Sequence, residues 1–326
     1  MTRDKKVRWG ILGVAKINER LLPSFARARN LELYAIASRT REKARAAAEA
    51  AGIPKAYDGY EALLDDPEID VVYNPLPNAL HAEWTKKAAA RGKHVLCEKP
   101  LAPSAAEAQE VVEFCREKQV RLMDGFMWPH HPRTARIRQL LDAGRIGAVK
   151  HVHGSFTFPL PLDPNNIRLR ADLAGGSLLD VGCYPVYGIR WAMGAEPVLA
   201  FARMRQQFGV DVEVSGLLAF ADGRTAAFDC GFTLPFRSGL EIVGSQGILR
   251  IPEAWVPERP TFQISKDGQT TEETVEGDQI QHMIQNFSQA VLEDKPVQPD
   301  PHQAVLTLRV LDALAKSARS GAAAAV

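Results

Sequence analysis

The sequence has almost no excess charge and no long apolar run. Its 326 residues contain 40 Lys and Arg against 39 Asp and Glu, a net charge of +1, so no strong field would attract nucleic acid or an anionic membrane. No stretch approaches the roughly 18 apolar residues that a membrane-spanning helix needs. The hydrophobic content of 46% and charged content of 24% are typical of a folded globular chain, and the length suggests about two domains.

Cysteine is scarce and scattered. The four cysteines include no C-x-x-C pair, which argues against a zinc site or a disulfide framework. The basic start Met1–Lys6 is followed by an apolar stretch, Trp9–Ala15, that is too short for the hydrophobic region of a signal peptide. We therefore expect a soluble, cytoplasmic chain whose thiols stay reduced; they are Cys97, Cys115, Cys183 and Cys230.

Strand and helix patterns alternate through the first third of the chain. Short apolar runs predict strands, and longer stretches with one apolar side predict helices between them. This alternation is typical of crossover units around a parallel sheet, so we predict a doubly wound α/β domain over residues 1–125. The predicted strands are Val7–Leu12, Leu31–Ala37, Val71–Tyr73, His94–Cys97 and Val120–Gly125, and the predicted helices are Ala15–Ala28, Thr40–Ala51, Ala79–Arg91 and Ser104–Gln119.

The pattern changes after about residue 125, where apolar and polar residues alternate in successive runs. Such runs are typical of antiparallel strands, so we predict an α+β domain over residues 126–326 with a large open, mostly antiparallel sheet. We expect the C-terminal helix to pack back on the first domain. Strands are predicted at Ala148–Phe158, Phe201–Phe208, Val212–Phe220, Thr225–Phe232, Leu240–Val243 and Ile248–Ile251, and helices at Ser177–Met193, Gln279–Leu292 and Pro301–Ser320.

A glycine turn lies where the first predicted strand passes into the first helix. There the G-x-G-x-x-G pattern of dinucleotide-binding proteins is matched by Gly13, Ala15 and Asn18. Gly13 allows a tight turn, and the small Ala15 lets backbone N–H groups approach a pyrophosphate at the helix N-terminus. The match is imperfect, and a glycine turn in another α/β fold is the alternative. The candidate phosphate-binding residues are Gly13, Val14, Ala15, Lys16 and Ile17.

The end of the second predicted strand favours NADP as cofactor, with NAD possible. An NAD site usually places Asp or Glu there, about 20 residues after the glycines, to bind the ribose 2′-OH. Glu32 has nearly that spacing but lies at the start of the strand. The strand end instead carries Ser38 and Arg39, with Lys43 close behind, and these side chains could bind a 2′-phosphate. The alternative is a solvated arginine at a helix start.

Two further motifs supply groups suited to proton transfer. Lys99 follows the strand His94–Cys97, and ligands of open α/β sheets bind beyond the carboxyl ends of their strands. Asp180 and Tyr184 are four residues apart on a predicted helix that two glycines open, so they share one face. A carboxylate and a phenol near a cation suit the oxidation of a hydroxyl group. The alternatives are a surface lysine and a tyrosine that only packs in the core.

Together, these motifs resemble the Gfo/Idh/MocA oxidoreductase family over nearly the whole chain. The resemblance implies an N-terminal Rossmann domain, a C-terminal α/β domain whose open sheet often serves oligomerisation, and an active-site role for Lys99. It also implies that Glu98 and the segment Pro75–His81 shape the nicotinamide pocket, with Pro75, Leu76, Asn78 and His81 as candidate contacts. The motifs that carry it are Gly10–Ala15, Pro75–His81, Glu98–Pro100 and Gly175–Tyr184.

Tyr184 indicates one branch of this family, because many members of the family carry histidine at the corresponding position. The tyrosine version is similar to the branch that contains glucose–fructose oxidoreductase, dimeric dihydrodiol dehydrogenase and NADP-dependent D-xylose dehydrogenases. It weakens an interpretation as an inositol dehydrogenase. Ala15 and Asn18 depart from the glycine consensus.

Four histidines could indicate a metal site. However, no cysteine or carboxylate pattern accompanies them, and hydride transfer needs no metal. We therefore expect no metal. Trp128 and His131, which follow the last strand of the first domain, are candidate substrate contacts. Arg168 is a third candidate, with a solvated arginine as the alternative. The histidines are His130, His131, His151 and His153.

These observations predict an NADP-dependent oxidoreductase that acts on a CH–OH carbon of a sugar, sugar derivative or diol, most simply a D-xylose or glucose-type dehydrogenase. Tyr184 would be the general base, Lys99 would bind the reacting oxygen, and Asp180 would position substrate hydroxyls. The alternatives are a keto-sugar reductase or dihydrodiol dehydrogenase with the same site, and a catalytically silent, nucleotide-sensing regulator. We expect a homodimer or homotetramer built through the C-terminal sheet, with no nucleic-acid or membrane partner.

Overall fold

The apolar run Val7–Leu12 (β1) pairs with a parallel strand on each side, within a six-stranded sheet of order β3-β2-β1-β4-β5-β6. Every pairing in this sheet is parallel. The carboxyl ends of its strands therefore lie along one edge, where ligands of doubly wound folds bind. The other strands are Leu31–Ser38 (β2), Lys55–Asp58 (β3), Val71–Asn74 (β4), His94–Cys97 (β5) and Leu122–Asp124 (β6).

The computed structural model describes residues 6–326, and the predictions for the start of the chain lie outside it at residues 1–5. The predicted parallel sheet is confirmed, but β3 was not predicted. This strand has only four residues, alternates between exposed and half-buried positions, and pairs only at the edge of the sheet. It therefore lacks the apolar run that marks the central strands.

Five helices lie between or after these strands. The first begins at Asn18 rather than at the predicted Ala15, because residues 15–17 form the turn that follows β1. The second ends at Gly52, which has a φ of 66° and so takes the left-handed conformation that favours glycine. The helices are Asn18–Arg27 (α1), Arg41–Ala51 (α2), Tyr60–Leu64 (α3), His81–Ala90 (α4) and Ala105–Glu117 (α5).

The second part of the chain forms a nine-stranded sheet of order β14-β13-β12-β11-β7-β10-β9-β8-β15. Only β7 and β10 pair in parallel, so the predicted mostly antiparallel sheet is confirmed. The strands are Val149–Thr157 (β7), Pro197–Gln207 (β8), Val210–Phe220 (β9), Thr225–Gly231 (β10), Leu240–Gly244 (β11), Ile248–Ile251 (β12), Thr261–Lys266 (β13), Gln269–Thr274 (β14) and Ala324–Ala325 (β15).

Two helices of this part are Pro132–Asp142 (α6), which was not predicted, and Cys183–Met193 (α7). A π-helical turn, Leu178–Gly182, precedes α7 in place of the single helix predicted from Ser177. Glycines allow α7 to pack closely, because a Cβ at Gly188 would lie only 2.5 Å from the Trp255 ring. All residues of α7 from Cys183 to Arg190 are buried.

The last two helices are Gln279–Leu292 (α8) and His302–Ser320 (α9). Ile284 and Phe287 of α8 are buried in one core cluster with Trp9, whose indole N–H also donates to Ser288 Oγ over 3.0 Å. This packing joins α8 to the Rossmann-type sheet. The sequence analysis expected the C-terminal helix to pack there, but residues 305–320 of α9 belong to the other unit. By their contacts, one unit comprises residues 6–102, Ala106–Met127 and Asp278–Ala304, and the other Pro103–Ala105, Trp128–Gly277 and Val305–Val326.

Across residues 6–326, no helix combines the length and the apolar character needed to cross a membrane.

Candidate active site

The turn after β1 has the form that a dinucleotide site requires. Gly13 has a φ of +99°, and a Cβ at this position would lie 3.2 Å from Leu76 Cδ2, so glycine is needed both for backbone conformation and for space. Asn18 donates from Nδ2 to the Gly13 carbonyl over 2.9 Å. Asn18 therefore closes the turn from the position where the family consensus has its third glycine.

This turn offers backbone N–H groups to a bound phosphate. The N–H groups of residues 18–21 already donate to the carbonyls of residues 15–17, so the N–H groups of residues 14–17 and the positive end of the helix dipole are what favour an anion here. The buried Asn18 Oδ1 atom has no hydrogen-bond partner within the described residues, but as an acceptor it would need a donor and not a phosphate oxygen. Of the predicted residues, Val14 and Lys16 are exposed, and Ala15 and Ile17 are half-buried.

The end of β2 carries the predicted 2′-phosphate residues. Ser38 is buried, whereas Arg39 and Lys43 are exposed. The sequence at this strand end predicts a corner without a carboxylate, but the structure places one there, because Ser38 is in register with Asp58 at the end of β3. This corner of the sheet therefore holds cations from one strand end and an acid from the next.

His81 ties together two loops at the same edge of the sheet. Its Nε2 lies 2.6 Å from the Leu76 carbonyl and its Nδ1 lies 2.7 Å from the Pro100 carbonyl. The side chain is buried, and burial lowers the pKa of His81 to about 4, so the neutral ring has one N–H and donates to one of the two carbonyls while it packs against the other. His81 therefore lies between Pro75–Leu76 and Lys99–Pro100 and does not present its ring to solvent. Pro75 and Leu76 are buried and Asn78 is half-buried.

Lys99 lies in a group of acids at the ends of β5 and β6. Glu98 is buried and accepts a hydrogen bond from the Tyr73 hydroxyl over 2.7 Å. Burial raises the pKa of Glu98, and the charge of Lys99 opposes that shift. Gly125 lets the strands approach here, since its Cβ would lie 2.9 Å from Glu98 Cα. The half-buried Lys99 thus lies in the field of a buried carboxyl group.

Asp124 is a second acid of this group, and the sequence analysis missed it. It is in register with Cys97, the residue before Glu98. Burial raises the pKa of Asp124 to about 8, and the charge of Glu98 adds to this shift while that of Lys99 opposes it. Its Oδ1 atom is buried without a hydrogen-bond partner among residues 6–326. At neutral pH, therefore, this acid is largely neutral.

The second unit brings together three other predicted residues. Arg168 donates from Nε to Asp180 Oδ2 over 2.7 Å. The Asp180 carboxylate raises the pKa of Arg168, and Tyr184 acts in the same direction despite the opposing effect of burial. Tyr184 is buried, with its ring 5.1 Å from that of Phe156 and 6.0 Å from that of Trp255. A carboxylate, a guanidinium and a phenol therefore form one cluster.

Asp211, at the start of β9, anchors the helical segment that carries Asp180 and Tyr184. Its Oδ2 accepts hydrogen bonds from Ser177 Oγ over 2.7 Å and from the Leu178 N–H over 2.6 Å. A Cβ at Gly176, whose φ is +113°, would lie 2.4 Å from Asp211 Oδ1. Gly176 therefore leaves room for the carboxylate of Asp211, a residue that no sequence motif singles out.

Trp128 and His131 have packing roles in the second unit. The Trp128 ring packs edge-on against three aromatic rings at 5.3–5.5 Å. His131 is the N-cap of α6, and its Nδ1 accepts from the Arg133 N–H over 3.0 Å. Both side chains are buried, a placement that does not favour direct substrate contact, which stays a prediction. The three rings belong to Tyr187, Trp191 and Trp255.

The remaining histidines have ordinary polar neighbours. His153 Nε2 lies 3.4 Å from Asp229 Oδ1, and His151 Nδ1 lies 3.2 Å from Thr225 Oγ1. In the part of the chain that the structure describes, no group of three or more His, Cys, Asp or Glu side chains could hold a metal ion.

Comparison with known families agrees with this geometry in both halves of the chain. Residues 7–126 match the model of the GFO/IDH/MocA oxidoreductase family, described as an NAD-binding Rossmann fold. Residues 134–250 match the GFO/IDH/MocA C-terminal domain. The chain belongs to the Gfo/Idh/MocA oxidoreductase family. The predicted family, fold class and enzyme class are thereby confirmed.

Relatives of this family member span nearly its whole length. It is 39% identical over 321 residues to D-xylose 1-dehydrogenase (NADP(+)) 2 of Haloferax volcanii, covering 97% of this chain and 98% of that protein. It is 39% identical over 295 residues to a dTDP-3,4-didehydro-2,6-dideoxy-alpha-D-glucose 3-reductase of Streptomyces violaceoruber, covering 88% and 86%. A 3-ketoreductase of Actinomadura kijaniata, crystallised with NADP and TDP-benzene, superposes with a TM-score of 0.91 at 32% identity, covering 96% and 98%.

Proposed function

We propose that this family member is an NADP-dependent oxidoreductase that transfers hydride between NADP(H) and a CH–OH carbon of a sugar or sugar derivative. The cluster of Arg168, Asp180 and Tyr184 carries the proposal, because it combines a phenol that can exchange a proton with polar groups that can hold substrate hydroxyls. The NADP-dependent xylose dehydrogenase and the keto-sugar reductase among its relatives support this substrate class.

Each protein group has a distinct part in the proposed reaction. Bound NADP accepts or supplies the hydride. Tyr184 takes the proton of the substrate hydroxyl during oxidation and returns it during reduction. A phenol is a weak base at neutral pH unless a cation stabilises its anion, and Lys99 is proposed to provide that charge while it binds the same substrate oxygen. Asp180, held by Arg168, positions neighbouring hydroxyls.

The proposed cofactor contacts lie along the carboxyl ends of the strands in the Rossmann-type sheet. The N–H groups of residues 14–17 would bind the pyrophosphate, because they precede the N-terminus of α1 and Gly13, without a side chain, leaves room beside them for a ligand. Ser38, Arg39 and Lys43 would hold the 2′-phosphate. The nicotinamide would lie against the loops that His81 ties together, which contain Pro75, Leu76, Asn78, Glu98 and Lys99.

The test is turnover with a substrate panel and both cofactors. Pentoses, hexoses and diols would be offered with NADP and NAD, and keto-sugars, free or nucleotide-linked, with the reduced cofactors. We expect NADP-dependent oxidation of at least one sugar, measured by the absorbance of the reduced nicotinamide. Binding of NADP without turnover across the whole panel would contradict the proposal and favour a nucleotide-sensing regulator.

Assembly and location complete the proposal. Leu199 of β8 and Leu217 of β9 lie on one face of the nine-stranded sheet and are 45% and 55% exposed. An exposed apolar sheet face favours a partner, so we propose a cytoplasmic homodimer or homotetramer that pairs through this face. Light scattering that gives a monomer at micromolar concentration would contradict it.

A further inference from the structure

Tyr60 lies beside the dinucleotide turn, although no sequence motif singles it out. It is the first residue of α3, directly after β3 and Gly59. Its ring packs edge-on against Trp84, with centroids 4.9 Å apart. Its hydroxyl lies 3.6 Å from the point where a Cβ on Gly13 would be. The phenol is therefore held next to Gly13, where the absence of a side chain leaves room for a pyrophosphate.

The hydroxyl of the half-buried Tyr60 is available to donate a hydrogen bond to a ligand. Within residues 6–326 it forms no hydrogen bond, whereas the hydroxyl of Tyr57, on the adjacent strand, binds Asp66. Burial raises the pKa of Tyr60, and the charge of Arg39 opposes that shift without reversing it. At neutral pH the group is therefore a neutral phenol near a cation, which suits an anionic acceptor.

We propose that the Tyr60 hydroxyl donates a hydrogen bond to a pyrophosphate oxygen of the bound dinucleotide. This inference rests on the dinucleotide binding of the proposed function and adds a residue to it. The pyrophosphate is favoured over the 2′-phosphate because in Rossmann folds it passes the first glycine turn, while the ribose is read at the end of β2. Gly13 lies at the first place and Arg39 at the second.

Binding of nucleotide fragments separates these two contacts. Affinities of Tyr60→Phe for NADP, NAD and 2′-AMP would be measured by calorimetry, with quenching of tryptophan fluorescence as a second signal. A lost hydrogen bond to a charged group weakens binding about tenfold or more. We expect that loss for NADP and NAD, and no loss for 2′-AMP, which has no pyrophosphate. Arg39→Ala should show the complementary pattern, with losses for NADP and 2′-AMP and little change for NAD.

The matched control is Tyr57→Phe, which removes a hydroxyl that the protein itself uses and should leave all three affinities unchanged. Wild-type affinity of Tyr60→Phe for both dinucleotides would overturn the inference while leaving the proposed function intact. An equal loss for 2′-AMP would also overturn it, because the hydroxyl would then act on the adenosine end. A wild-type protein that binds neither dinucleotide would overturn both proposals.

Discussion

Arg168 and Asp180 form an ion pair, Nε to Oδ2 at 2.7 Å, beside the hydroxyl-bearing ring of Tyr184. The pair has two consequences for the proposed reaction. Asp180 meets a substrate as a carboxylate that a guanidinium already orients, and Tyr184 has a cation in its own unit that could stabilise its anion. In the reaction proposed above, Lys99 alone stabilises that anion.

The first prediction concerns Arg168→Gln. Loss of the cation disfavours the phenolate, so the acid limb of the pH profile for oxidation should move to higher pH. We expect kcat at neutral pH to fall by about tenfold, since one pKa unit of lost charge stabilisation corresponds to that factor. Arg170→Gln is the control, because Arg170 is exposed and its ion pair within residues 6–326 is with Asp172. A profile with the same limbs as wild type would show that Arg168 does not act on the base.

The second prediction concerns Asp211→Ala. Ser177 Oγ and the Leu178 N–H would lose their acceptor, and loss of a helix cap typically lowers the free energy of unfolding by about 1–2 kcal/mol. We expect a lower Tm and a higher KM for the sugar, because the segment carrying Asp180 would loosen. NADP affinity should stay unchanged, since the proposed cofactor contacts lie on the other unit.

Two variants sharpen that test. Asp211→Asn keeps an acceptor oxygen and should recover most of the Tm and KM. Asp142→Asn changes an exposed acid that pairs with Arg138 on α6 and should change neither quantity. If Asp211→Ala lowered Tm without changing KM, its carboxylate would stabilise the fold without positioning the site.

The predictions of Lys99, Asp180 and Tyr184 rest on local signals and stay predictions. Lys99 follows a strand, and Asp180 and Tyr184 are four residues apart in one helical segment, so short motifs suffice to propose them. Asp124 and Asp211 could not be found in this way. Asp124 meets Glu98 only through the register of β6 on β5, and Asp211 reaches Leu178 from 33 residues away.

Burial explains the other differences between sequence and structure. Trp128 and His131 follow the last strand of the parallel sheet, where a ligand contact is a reasonable prediction. In the structure, the Trp128 ring packs against other aromatic rings and the His131 ring caps α6, and substrate contact by either residue stays a prediction. The sequence predicts that these residues follow a strand of the sheet. It does not predict whether their side chains are buried, because that depends on residues distant in the chain, such as Trp255.

The third prediction is that Asp124→Asn changes how stability depends on pH. The pKa of Asp124 is raised from 3.8 to about 8 by burial and by Glu98. Between these pH values the folded state binds more protons than the unfolded state, so the free energy of unfolding falls as pH rises. Asparagine cannot ionise and avoids this loss. The Tm of the variant relative to wild type should therefore increase steadily between pH 4 and pH 8.

Thermal unfolding at several pH values measures this effect, and the expected relative gain is at least about 2 °C. Asp294→Asn is the control, because Asp294 is exposed and pairs with Arg121. Its melting curves should run parallel to those of wild type. Parallel curves for Asp124→Asn as well would mean that the pKa of Asp124 is the same in the folded and unfolded states.

The fourth prediction concerns the proton-transfer pair itself. If Tyr184 exchanges the substrate proton and Lys99 stabilises the resulting anion, removal of either should lower kcat by about 10²–10⁴-fold, the usual contribution of general acid–base catalysis. NADP affinity should survive in Tyr184→Phe, because the hydroxyl is assigned to the substrate and not to the pyrophosphate. Stopped-flow hydride transfer and calorimetric NADP binding measure the two quantities separately.

The double variant decides whether the two residues act as a unit. Residues that serve one step are strongly non-additive, so Tyr184→Phe combined with Lys99→Met should lose little more than the worse single variant. Multiplied losses would mean that Lys99 and Tyr184 serve different steps. If Tyr184→Phe kept nearly wild-type kcat, the base would have to be another group. His131 is disfavoured for that role because its Nδ1 caps α6, and Asp180, already at the site with Arg168 as its counter-ion, would be the next to test.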